Sequence, residues 1–290
     1  DSTEEVLLKI AQNDSRVAVY TQKNAGQGAA RNQAVKNATG QYLYFMDSDD
    51  AIVPDCIETL YNIISQEKVD FVAAGINQID ENENSLKITN YPNITRKGKL
   101  CMAQYFYEEK NDIWVTTWNK LYNLSFLREF HIHFLEHVYH EDIVMHAMLA
   151  LNTRSFTLTS QTTYLYNCNR EDSITNMEQG YTLKHLNDLT IVFSEIRRLI
   201  QADNNLSKHL QKEINLYYLF EIYHRYLPAM YSNIKRVDLI KGLARLSQNC
   251  LPPILETRLT FKSIKRFLFL KLPFNIQYLI KSHKYKKSRV

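Results

Sequence analysis

Gln41-Tyr42-Leu43-Tyr44-Phe45-Met46-Asp47-Ser48-Asp49-Asp50 is the stretch on which the reading of this chain turns. Its first six residues form a nearly unbroken apolar run of strand length, the pattern of a strand covered on both faces in a parallel sheet. Three carboxylates then follow within four positions. In open α/β sheets ligands collect beyond the carboxyl ends of strands. Acidic groups crowded there repel one another unless a cation joins them, and Mg²⁺ or Mn²⁺ takes oxygen ligands and shares them with phosphates. A D-x-D pattern alone is short and common, and taken by itself it is better explained by a solvated acidic turn capping the next helix.

The flanking segments alternate in kind. Ser2-Thr3-Glu4-Glu5 has the form of a capping box, starting a helix that ends near Asn13. Arg16 to Tyr20 reads as a short strand, and a second helix is expected over 28–37, stopped by Gly40. After the acidic cluster, Pro54 suits a first helical turn. Ile57, Leu60, Tyr61 and Ile64 share one face of the helix that follows, and Val69 to Ala74 is the next strand. The order αβαβαβ predicts a doubly wound, mostly parallel sheet. Because it opens on a helix, the first strands of such a sheet are expected to be absent. From Tyr181 onward helical spacing takes over, with Pro228 expected to end or kink the run. The domain reading is therefore 1–180 for the α/β part, 181–250 for a helical annex and 251–290 for a basic amphipathic tail.

Composition narrows the class further. Hydrophobic residues make up 45% and charged residues 23% of 290, ordinary for a globular protein. The four cysteines form no C-x-x-C pair, against a structural zinc site or a disulfide framework and in keeping with a reducing compartment. Five histidines lie between His131 and His146, but His140-Glu141 is followed by His146, six positions after His140 instead of the four that H-E-x-x-H requires. A zinc protease is excluded on that spacing. Charge is unevenly placed: from Arg258 to Val290 every charged residue is Lys or Arg, so a basic tail follows an acidic body. With apolar residues interleaved, that tail reads either as a docking element for an anionic membrane surface or as a last helix packed on the annex. Nucleic acid is disfavoured, since no nucleic-acid module is present.

Taken together the motifs have a precedent. Asn24-Ala25-Gly26-Gln27-Gly28-Ala29-Ala30-Arg31-Asn32, then Ala38-Thr39-Gly40-Gln41-Tyr42, then Asp47-Ser48-Asp49-Asp50, resemble the blocks of family-2 inverting glycosyltransferases of bacterial polysaccharide and capsule type. Trp118-Asn119-Lys120-Leu121-Tyr122, Glu141-Asp142 and Arg170-Glu171-Asp172-Ser173-Ile174-Thr175 resemble later blocks in the same order. Ala34 stands where the family usually has Gly. The resemblance implies a GT-A fold and transfer from a UDP-sugar to a glycan or lipid-linked acceptor, with inversion and with Mn²⁺ or Mg²⁺. It implies Asp142 as the base for the acceptor hydroxyl, Asp47 and Asp49 as metal ligands, and Arg31, Asn24 and Gly26 on the donor side. Trp118, Lys120, Glu141 and Arg170 are weaker candidates for the acceptor or phosphate side. Trp118 could equally pack the core, and Lys120 could pair with a surface carboxylate. The family opens with two strands that meet the nucleobase, so the chain reads as N-terminally truncated. The expected location is cytoplasmic, peripheral on the inner face of the membrane. The competing readings are a non-catalytic nucleotide-sugar or glycan-binding module and a peripheral membrane adaptor.

Overall fold

The structure is a computed structural model that describes residues 2–168, 182–230 and 232–287. The first helix, α1 (Thr3–Asn13), ends where expected, but Ser2 makes no side-chain cap and none of its residues is buried. The 16–20 run carries no strand pairing. Helix α2 (Gly26–Asn37) begins two residues before its expected start, and it stops on extended Ala38, not on Gly40. The apolar run contributes only β1 (Tyr42–Tyr44), which is half-buried. A two-residue strand, β2 (Ala51–Ile52), follows the acidic cluster and leads into α3 (Cys56–Glu67). The core-facing side of α3 is Cys56, Leu60 and Ile64, whereas Ile57 and Tyr61 are exposed. The i, i+4, i+8 row won over the i, i+1 neighbours because β3 lies against it.

Central strand β3 (Phe71–Ile79) runs five residues past its expected end and carries the hairpin partner β4 (Ser85–Thr89). Strands β5 (Ile94–Lys97), β6 (Lys120–Asn123) and β7 (Ser155–Asn167) complete a seven-stranded sheet of order β1-β6-β3-β7-β2, with β4 and β5 pairing β3 and β7. The sheet is mixed. Among the described residues only β3 and β7 pair in parallel, and β1 lies antiparallel to β6. Strand β6 is the cause: it inserts between β1 and β3 antiparallel to both, so the run of strands and helices does not translate into a mostly parallel sheet.

Short helices α4 (Cys101–Ala103), continued by the π-turn Gln104–Glu108, and α5 (Leu124–Glu129) lead to α6 (Glu141–Asn152), whose middle is almost wholly buried. The helical part consists of α7 (Leu183–Ala202), α8 (Lys208–Met230), α9 (Arg236–Asn249), α10 (Phe261–Lys271) and α11 (Phe274–Lys287). Helix α8 continues through Pro228 for two residues. One apolar core unites the sheet and the helices. It runs from Phe45, Phe71 and Phe156 through Val144 and Met145 to Leu189, Leu219, Leu243 and Phe269. The π-turn is the seam: Phe106 and Tyr107 pack edge-on against Tyr217 of α8, and the Tyr107 and Tyr218 hydroxyls hydrogen-bond at 2.7 Å.

Candidate active site

The acidic cluster follows β1 at the sheet's rim. One carboxylate oxygen from each of Asp47, Asp49 and Asp50 lies within 4.8 Å of the others, and no histidine or cysteine belongs to the group. Hard oxygen donors at this spacing fit Mg²⁺ or Mn²⁺. Asp50 is the anchored member. It accepts a hydrogen bond from the Tyr164 hydroxyl at 2.7 Å and another from the Asn167 backbone N–H at 2.9 Å. Burial raises its pKa above the ordinary carboxylate value, the two hydrogen bonds oppose that, and the charges of Asp49 and Asp47 add to it. The backbone N–H of Asp47 in turn donates to the Tyr164 oxygen at 3.3 Å. Asp47 and Asp49 therefore hang from a loop whose shape is fixed from β7.

Trp118 and Lys120 stand behind this loop and do not line it. Trp118 is 5% exposed and stacks on Tyr164, with centroids 4.4 Å apart and planes 10° from parallel. Lys120 is 2% exposed, so the surface ion pair expected for it is not formed. Its ammonium donates to the carbonyls of Trp114 and Thr116, at 2.9 and 2.5 Å. Burial pulls its pKa down to about 7, against the upward pull of Asp142 and Asp112. Asn119 adopts φ 59°, and its amide donates to the Ala74 and Gly75 carbonyls while accepting from Thr163. It thus plugs the register shift between β3 and β7. Trp118 thus backs the tyrosine that anchors the acidic loop, while Asn119 and Lys120 hold the strands and the turn beside it.

Arg31 joins the separate blocks. Its guanidinium donates to Asp47 at 2.8 Å and to Glu141 at 2.6 Å, with 15% of the side chain exposed. A planar fork of this kind fixes two carboxylates in relative position. Glu141 and Asp142 open α6, where the helix N-terminus favours negative charge. The preceding residue, His140, sits at φ 66°. Burial raises the Asp142 carboxyl to about 6; Glu141 pushes the same way, while Arg225 and Arg31 pull it down. His140 and His146 are driven to about 4 and about 3, chiefly by burial, and are neutral at neutral pH.

The N-x-G segment is engaged with protein. Asn24 accepts from the Gly26 N–H at 3.1 Å, and Gly26 adopts φ 83°, so these residues shape the entrance of α2. A Cβ on Gly28 would overlap the Leu135 carbonyl oxygen. Asn32 completes the dock, donating to the Phe134 carbonyl and accepting from the Phe134 N–H, each at 2.9 Å. The close approach that these glycines permit is thus to the 134–137 loop. Arg170 lies outside the described residues, as does the rest of its block. Tyr164 and Arg225 were missed from sequence, and Asp50, read as part of the acidic cluster, was given no role of its own: nothing distinguishes Tyr164 among 19 tyrosines, and Arg225 comes from a helix nearly 200 residues beyond Arg31. Two shallow hollows elsewhere, one beside Gly40 and Arg128 and one beside Gln66 and Asn93, contain none of these groups.

Comparison with known proteins supplies a context for this geometry. Residues 1–130 match Glycosyl transferase family 2. Glycosyltransferase GlyA of Streptococcus pneumoniae is 31% identical over 131 residues, which are 42% of this chain and 18% of that protein, so the chain spans under a fifth of that relative. A cholesterol galactosyltransferase of Borreliella burgdorferi is 24% identical over 277 residues, covering 86% of this chain and 74% of its own length. Among solved structures, residues 1–349 of S. aureus TarS in complex with UDP-GlcNAc align over 93% of this chain and 78% of that one. The TM-score is 0.69 at 18% identity, a likeness of the GT-A fold.

Proposed function

Proceeding from a chain whose first 130 residues belong to glycosyl transferase family 2, we propose that it moves a sugar from a UDP-sugar to a glycan or lipid-linked acceptor with inversion at the anomeric carbon. The observation that carries this reading is the Arg31 bridge, which ties the acid cluster after β1 to the Glu141-Asp142 pair that opens α6. Asp142 takes the proton of the acceptor hydroxyl as its oxygen attacks the anomeric carbon. The bond to the diphosphate breaks on the opposite face, and the electron pair leaves with the diphosphate. A carboxyl held near 6 is ionised at neutral pH yet basic enough for the task.

Asp47 and Asp49 would hold Mn²⁺ or Mg²⁺, which when bound supplies Lewis-acid stabilisation to the departing nucleotide. Asp50, locked by Tyr164 and Asn167, keeps their loop in place. Arg31 restrains Asp47 and Glu141 and adds a fixed positive charge to the donor side. The UDP-linked donor is favoured by the TarS complex with UDP-GlcNAc, and a lipid-type acceptor by the galactosyltransferase named for cholesterol. The location proposed with this reading is the cytoplasm, peripheral on the inner face of the membrane, and the unpaired cysteines suit such a reducing compartment. No helix among the described residues is long and apolar enough to cross a bilayer.

A panel of UDP-sugars screened for manganese-dependent release of UDP tests the reading. Activity with at least one donor, lost in Asp49→Ala and reduced about 10³-fold or more in Asp142→Asn, is expected. Release that survives both substitutions would refute it.

A further inference from the structure

Helix α10 is docked by one side only. Ser263 and Leu270 are buried, Phe269 packs edge-on against Tyr223 of α8, and Arg266 lies 3.8 Å over the Phe220 ring. Its opposite side is open. Phe261 is 83% exposed, Leu268 58% and Ile264 41%. At about 100° per residue these three fall on one stripe, about 60° wide. Lys265 borders the stripe on one side and Lys271 on the other, and both are exposed. Apolar side chains in the middle with lysines at both margins is the profile of a helix lying in a membrane interface. There the rings and branches enter the acyl boundary, and the lysine stems reach back to the headgroups.

Charge selects the occupant. Arg258 to Val290 contains ten Lys or Arg and no Asp or Glu. Such a segment is drawn to a negative surface within a Debye length. A second copy docking symmetrically through the same face would bring the same uncompensated positive charge against it, and a phosphate-tracking arm for nucleic acid would not place three large apolar groups outermost. We propose that the exposed face of α10 is a docking surface for an anionic lipid bilayer, entered by Phe261, Ile264 and Leu268 and framed by Lys265 and Lys271. This stands on the surface alone, so failure of the transferase assay leaves it untouched.

The test is co-sedimentation of the full chain with vesicles of phosphatidylcholine alone or mixed with phosphatidylglycerol, at low and high salt. Binding is expected to the mixed vesicles, to weaken with salt, and to be at least roughly tenfold weaker to phosphatidylcholine alone. Phe261→Ser/Leu268→Ser and Lys265→Glu/Lys271→Glu should each lower it by about tenfold or more. Lys87→Glu, an exposed lysine of β4, should leave it unchanged. All these positions are exposed, and an unchanged unfolding temperature confirms that each variant is folded. Three results would overturn the proposal: no sedimentation with mixed vesicles; equal binding by wild type and both double variants; or vesicle-free self-association or RNA binding that the same substitutions abolish while vesicle binding persists.

Discussion

Asp142 carries the sharpest consequence at the scale of one residue. Its carboxyl is held near 6 first by burial and second by the adjacent Glu141 carboxylate. A base works only when ionised, so the rate of sugar transfer should climb about tenfold per pH unit below 6 and level off above it. Glu141→Gln removes a like charge and leaves Arg31 with one anionic partner fewer, and both changes favour ionised Asp142. The rising limb of the pH–rate profile should therefore move to lower pH in that variant; a limb that stays in place would show that Glu141 does not tune the base. That the Asp47-Asp49 block and the Glu141-Asp142 block belong to one site was legible from motif order. The agent of the pairing was not, because Arg31 reaches Glu141 across 110 positions and only the fold brings them together.

At the scale of elements, the instructive residue is Gly28. The space that a side chain would fill there already belongs to the Leu135 carbonyl. Gly28→Ala should destabilise the chain by about 1–3 kcal/mol through overpacking, measured by denaturant unfolding. A neutral result would mean that α2 shifts freely on its loop. Helix boundaries were read well where apolar spacing was regular, as in α1 and α3. Strands fared worse for a physical reason. The 16–20 run has strand chemistry but no hydrogen-bonding neighbour in the sheet, and pairing, unlike helicity, is not a local property. Strand β6 was hidden in the Trp118–Tyr122 block, where Trp, Asn and Lys look like ligand-binding residues. Burial of Lys120 against two carbonyls is not a pattern that spacing reveals.

At the scale of the whole molecule, the helical part is not an appendage, since one core runs through it and the sheet. Glu213 of α8 is a second fastening. It is buried and pairs with Lys110, next to the π-turn, and with Arg258, at the start of the basic tail. Lys110→Met/Arg258→Met leaves that carboxylate without a cation and should cost about 3 kcal/mol of stability. Glu213→Gln in the same background should recover much of the loss; absence of recovery would show that the pair acts through packing alone. The charge split along the chain was plain in composition, but which side of α10 remains outward depended on where Phe269 and Leu270 found their pockets. The central claim is that Asp47 and Asp49 grip a divalent cation against a nucleotide diphosphate. Titration of Mn²⁺ followed by electron paramagnetic resonance, with and without UDP, tests it most directly. Bound manganese that strengthens with UDP, persists in Asp142→Asn and falls at least tenfold in Asp49→Asn is the predicted result. Equal binding by wild type and Asp49→Asn would contradict it.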